Sequence, residues 1–148
     1  MFANAKISEQ LALLATVDPV SQGVGPVSSG WVSAALHEKF QAEVMTGLLG
    51  LAATVDAKLQ QATDGAGTGA KDVTNKAITQ IVKATGDNKQ AIINLRADEL
   101  DVANGFNYFR VTLTVGTSAS LVAASVKGGG AKNLPAAALN QAAVVQVI

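Results

Sequence analysis

Cysteine is absent from the 148 residues, His37 is the single histidine, and the aromatic side chains amount to one Trp, one Tyr and four Phe. Without cysteine there are no disulfides, no thiolate metal site and no sulfur nucleophile, and the redox compartment is left open. One imidazole excludes a two-histidine metal site within one chain. So few aromatic rings give little from which to build a sugar-binding platform. Neither sign of charge is in excess, since Lys and Arg number 11 and Asp and Glu number 11. Neutrality removes the pull toward phosphate, so neither nucleic acid nor an anionic membrane is expected as a partner.

Long apolar runs are missing too. The longest strong one, GLLGLAATV at 47–55, is well short of the roughly 20 residues that cross a bilayer as a helix. Near the start, Glu9 and Gln10 precede a short apolar run and no A-x-A-like site follows closely, which argues against a secretory signal. What the chain does have is size and apolar content. A chain of 148 residues suits one domain that folds by packing alone, and 49% hydrophobic residues at zero net charge favour self-association as a dimer or trimer.

Ile7, Leu11 and Leu14 fall at i, i+4 and i+7, which fits a short helix ending before Asp18-Pro19 or an arm that orders on a partner. DPVSQGVGPVSSG at 18–30 reads as a loop or extended crossing. Residues 1–30 are thus expected to be helix or arm plus linker, and 31–148 a β domain. Beyond residue 30 the period becomes two. Phe40, Ala42 and Val44 alternate with polar neighbours across 38–46, although the composition of 31–46 also suits a helix. Val55, Ala57 and Leu59 mark a strand running into the turn TDGAGTGA, and two more strands are expected near 76–82 and 89–96. Phe109, Val111, Leu113 and Val115 form one face of a strand, Gly116-Thr117-Ser118 reads as a hairpin turn, and 119–126 reads as its partner, buried on both sides. KGGGAKNLP at 127–135 is expected to be a loop, and AAVVQVI at the end a last strand or a docked arm. The fold class is mainly β: a single-domain antiparallel β-sandwich, jelly-roll-like, or a small barrel.

Chemistry is sparse. His37 reads as an ordinary polar strand residue. Asp98, Glu99 and Asp101 could pair as the acid and base of a glycoside hydrolase, but carboxylates around a turn are ordinarily just solvated. GAGTGAK at 65–71 departs from the phosphate-loop pattern because Ala70 separates Gly69 from Lys71 and Asp72 follows. No enzyme activity, cofactor or metal is expected. Trp31 either caps the core or plugs a partner's pocket. The residues expected at partner or oligomer contacts are Ile7, Leu11, Leu14, Trp31, Val145 and Val147.

The phrases ATVDPVSQGVG (15–25), GWVSA (30–34), ATVDAKLQQATDGAGTGAKDVTNKAITQI (53–81) and NKQAIINLRADELDVANGFNYFRVTLTVGTSASLVAASV (88–126) are where the chain resembles a family of small virion proteins of tailed bacteriophages. The likeness covers nearly the whole chain. It departs at ALHEKFQAEVM, where relatives carry an aromatic-rich strand, and at AKNLP, where they have Arg-Tyr before the proline. The resemblance implies a virion structural protein without catalytic residues. The first expectation is a capsid decoration or cement protein on the phage head exterior, bound to the major capsid protein and to copies of itself. The alternatives are a head–tail neck or tail protein, and a module that binds host glycans.

Overall fold

The computed structural model of the protein describes residues 4–148. Its one N-terminal helical turn, α1 (Ile7–Gln10), is closed by the Glu9 carboxylate, which accepts from the Lys6 N–H at 2.8 Å. The helical spacing does not continue. Leu11–Gln22 is a strand, β1, and its apolar residues look helical in period only because Leu14 is the extra residue of a bulge between Leu13 and Ala15. Ala12, Ala15 and Val17 are buried on either side of that shift. A second irregularity, between Val17 and Val20, takes in Asp18 and Pro19. The loop expected over 18–30 is thus partly strand, β1 followed by β2 (Gly25–Ser28).

The remaining strands are β3 (Val32–Ser33), β4 (His37–Thr46), β5 (Thr54–Ala62), β6 (Lys71–Ala77), β7 (Ile81–Val82), β8 (Gln90–Arg96), β9 (Tyr108–Gly116) and β10 (Ser120–Ala131), with one helical turn, α2 (Lys83–Gly86), before β8. Over 31–46 the strand reading holds, interrupted by a 3-10 turn at Ala34–Leu36. The strand expected over 76–82 is two short pieces, the end of β6 and then β7.

One antiparallel sheet runs β1-β10-β4-β8 and the other β2-β9-β5-β6, with β3 on β9 and β7 on β5. The long pairings nest one inside the next: β1 with β10, β2 with β9, β4 with β8, β5 with β6. That nesting is the jelly-roll wrap of an antiparallel β-sandwich. The two sheets enclose Phe109, Leu59, Leu95, Leu113, Val44 and Val126, all with less than 2% exposure, and the Phe40 and Phe109 rings meet edge to face at 4.7 Å.

Three expectations fail here. The segment 105–125 is not a hairpin, because β9 bonds to β2, β3 and β5 whereas β10 bonds to β1 and β4. Residues 117–119 carry the chain from one sheet to the other. Alternation shows that each strand has a core face but not which strand it bonds to, and two strands facing each other across a core alternate just as two paired ones do. β10 is also not buried on both sides, since Leu121 is 45% exposed. The third failure is KGGGAKNLP, whose first five residues continue β10, with Gly128 opposite both Ala12 and Phe40. Glycine here makes room. A Cβ on Gly128 would stand 2.6 Å from Leu14 Cδ1 and 2.8 Å from the His37 ring.

Candidate interaction surface

The outer faces of the two sheets differ in chemistry. On the β9 sheet, alternate residues of β5 and β9 point away from the core and satisfy one another. The Gln60 side-chain oxygen accepts from Arg110 Nη2 at 2.9 Å and from the Thr112 hydroxyl at 3.1 Å, while Lys58 pairs with Asp72 at 2.8 Å. Trp31 lies against this polar surface, half-buried, with the Arg110 guanidinium 4.5 Å from its ring. Gly67, at φ +88°, lets the 64–69 loop close over the indole, where a Cβ would come within 2.7 Å of Nε1. Trp31 is therefore neither a core cap nor an open plug: it is wedged between a strand and a loop on the sheet's outside.

That loop is the one resembling a phosphate cradle. Ala66 and Thr68 donate their N–H groups to the Asp64 carboxylate at 2.9 and 3.0 Å, and Gly67 and Ala70 donate theirs to the Asp64 and Gly67 carbonyls. The Thr68 side-chain hydrogen bond first, and then the N–H bonds to the carboxylate, hold the Asp64 carboxyl below its usual range.

The acidic turn is similarly committed. Asp98 pairs with Arg96 at 2.9 Å, Glu99 with Lys76 at 2.9 Å, and Asp101 with Lys71. The Arg96 guanidinium depresses Asp98, the Arg96 backbone N–H and Lys76 depress Glu99, and Lys71 with Asn104 depresses Asp101. A glycosidase general acid needs the opposite shift, a carboxyl kept protonated near neutrality. Among the described residues no three His, Cys, Asp or Glu gather as a metal site.

His37 is not an ordinary polar strand residue. It is 2% exposed, its Nε2 has no hydrogen-bond partner, and burial lowers its pKa below the usual imidazole value.

The outer face of the β10 sheet is apolar at one end. Leu121 and Met45 project from adjacent strands, 45% and 36% exposed, beside Pro19 and Val20 of β1, and together they line a groove of 290 Å³. Ile92 on β8 continues the apolar surface at 57% exposure. The centre is crossed by a Lys127–Glu43 ion pair at 2.7 Å. At the other end α1 overhangs a groove of 570 Å³ that takes in Ile7, Leu11, Lys39 and Lys127.

Of the six residues expected at contacts, Ile7 (71%), Leu11 (40%), Val145 (96%) and Val147 (51%) are exposed, whereas Leu14 packs half-buried against the core. The structure brings Ile7 and Leu11 to one groove and leaves Trp31 on the opposite face. AAVVQVI is not a strand; Ala142 and Ala143 form a turn and 144–148 has no regular secondary structure. Sequence reasoning missed Met45, Ile92 and Leu121. Their signal was an apolar residue on the polar phase of an alternating strand, visible at Met45 and Ile92.

No protein-family model matches the chain, and no curated protein matches it. Among solved structures it is similar to a chain of the Cowpea mosaic virus top component, naturally occurring empty particles, at 8% identity and a TM-score of 0.42 over 90% of this chain and 94% of that one. A chain of infectious bursal disease virus, Gx strain, is 10% identical with a TM-score of 0.44, over 92% of this chain and 37% of that one. A chain of the disulfide-linked pili that form Bacillus endospore appendages is 12% identical, with a TM-score of 0.34 over 87% and 98%. Likenesses of this size do not bear on function.

Proposed function

We propose that this chain is a virion structural protein of a tailed bacteriophage: a decoration or cement protein on the outside of the head that binds the major capsid protein and self-associates. The observation that carries the reading is the two-faced sandwich, with one polar outer face that satisfies itself and another whose Leu121–Met45 end is apolar and left open. Jelly rolls serve viral capsids, lectins and cupins. A cupin-like centre needs a cluster of metal ligands, and a lectin face needs free aromatic rings. Here the carboxylates of the 98–101 turn are tied in ion pairs and the one Trp is wedged under a loop. The sequence resemblance to phage virion proteins supports the same choice.

A shell filled with DNA is strengthened when a second protein bridges neighbouring subunits, because each bridge adds interface that must be lost before they separate. An inert, rigid domain with an apolar face and an apolar end suits that task. Particles assembled without the protein are expected to have shells of normal geometry that release DNA at a lower temperature, and adding purified protein should restore the release temperature. Particles that are equally robust without it, or full heads without tails, would overturn this reading and favour the neck or tail.

A further inference from the structure

Antiparallel pairing gives an edge strand a two-residue period, in which alternate residues turn N–H and C=O to the partner and those between turn them outward. Side-chain bonds set the phase on β8. The Arg96 N–H donates to the Glu99 carboxylate at 2.8 Å, and the Asn94 carbonyl accepts from Lys76 Nζ at 2.8 Å. Even-numbered residues therefore face out. The odd phase faces β4, as the Thr46 N–H donating to the Lys89 carbonyl at 2.8 Å requires. Gln90 and Ile92 thus present main-chain donors and acceptors on the sheet's outer edge. Lys76 and Glu99 cap only the other half of that edge. Such an edge is a template for one more strand.

The opposite edge of the same sheet is β1, and there the chain's last part is tied down. Leu13 donates to the Asn140 side-chain oxygen and accepts from the Gln141 N–H, both at 2.8 Å. After the turn that the Val144 N–H closes on the Gln141 carbonyl, VVQVI at 144–148 runs without a strand partner, with Val145 96% and Ile148 95% exposed. The segment is rich in β-branched residues that favour strands and has no charged side chain.

We propose that residues 144–148 of one copy add as an extra strand to the outer edge of β8 in a neighbouring copy. This rests on the proposed self-association and names its contact. The segment cannot serve its own β8. Reaching the outer side of β8 from β1 takes four strand spacings, about 19 Å, more than the roughly 17 Å that five extended residues span. Nor does β8 suit a second β8. Antiparallel pairing centred on Ile92 brings Gln90 of one copy to Asn94 of the other, whose carbonyl Lys76 already occupies. Donor and acceptor lie on opposite edges of one sheet, so the contact is head to tail and closes into a ring or propagates.

The test uses the full chain, the chain ending at Gln141, and Ile92→Pro, which removes an outward N–H while leaving the β4 ladder intact. Sedimentation should show that truncation weakens self-association roughly tenfold or more, the worth of a few main-chain bonds, while the thermal melt stays unchanged. The chain has no cysteine, so mixing a Val145→Cys protein with an Ile92→Cys protein under mild oxidant should give a mixed disulfide dimer. If the truncated chain associates as well as the full one, or if Ile92→Cys links only to itself, self-association stands and strand addition falls. A full chain that is monomeric at every concentration removes both.

Discussion

His37 places an imidazole among Phe40, Leu14 and Gly128 with one nitrogen unpartnered. Burial depresses its pKa, so the folded protein holds it neutral while the unfolded chain takes up a proton as the pH falls below about 6.5. Stability should therefore be flat above that value and fall as the pH drops toward the folded pKa. Asp72, Glu99 and Asp101 have the same sign but act lower. Their pKa values are depressed, so the stability they add is present above the ordinary carboxylate range and lost on acidification through their folded values. Urea midpoints between about pH 7.5 and 5.5 isolate the histidine, and His37→Leu should flatten them. An unchanged slope in the variant would place the titration elsewhere. On β9, Leu113→Ala should cost about 2–5 kcal/mol as a core cavity. Thr112 faces away from the core, but it is 5% exposed and bonds Gln60 and Ser28. Its replacement by Ala should cost about 1–3 kcal/mol in denaturant melts, since partners are left unsatisfied.

At the scale of elements, Gly128 and Gly129 are neighbours on β10 with different duties. Gly128→Ala drives a methyl into the buried His37 ring and should cost about 1–3 kcal/mol, whereas Gly129→Ala meets only the far end of exposed Leu11 and should cost under ~1 kcal/mol. Equal losses in thermal melts would contradict the packing role. Legibility in the sequence followed the same logic. Strands β4, β5, β8 and β9 were readable because one face is buried and the two-residue period dominates, with Met45 and Ile92 as its exceptions. β1 was not, because the Leu14 bulge converts a two-residue period into a helical one. The far end of β10 was not, because glycines that admit Leu14 and His37 look like glycines that make a turn. Pairing was the least legible feature, since nothing local tells β9 that its partners are β2 and β5 while β10 crosses to the other sheet. Of the contact surface, the exposed ends were readable as apolar segments without charge. The Leu121–Met45 cluster depends on register between strands distant in sequence.

At the scale of the whole molecule, β1 and β2 contribute one strand to each sheet. Deleting residues up to 17 would remove buried Ala12, Ala15 and Val17 and should unfold the sandwich; residues 1–3 of that segment lie outside the described part. Removal of the last residues after Gln141 touches association alone, and the contrast between the two deletions in circular dichroism and sedimentation separates fold from assembly. The central claim, a protein that coats a phage head, sets a stoichiometry. A protein that bridges capsid subunits across a lattice must be present in numbers comparable to the subunits themselves. Under the proposed function, quantitative mass spectrometry of purified phage particles that carry this chain measures that ratio directly. Hundreds of copies per particle are expected, and a dozen or fewer would contradict the head-decoration account.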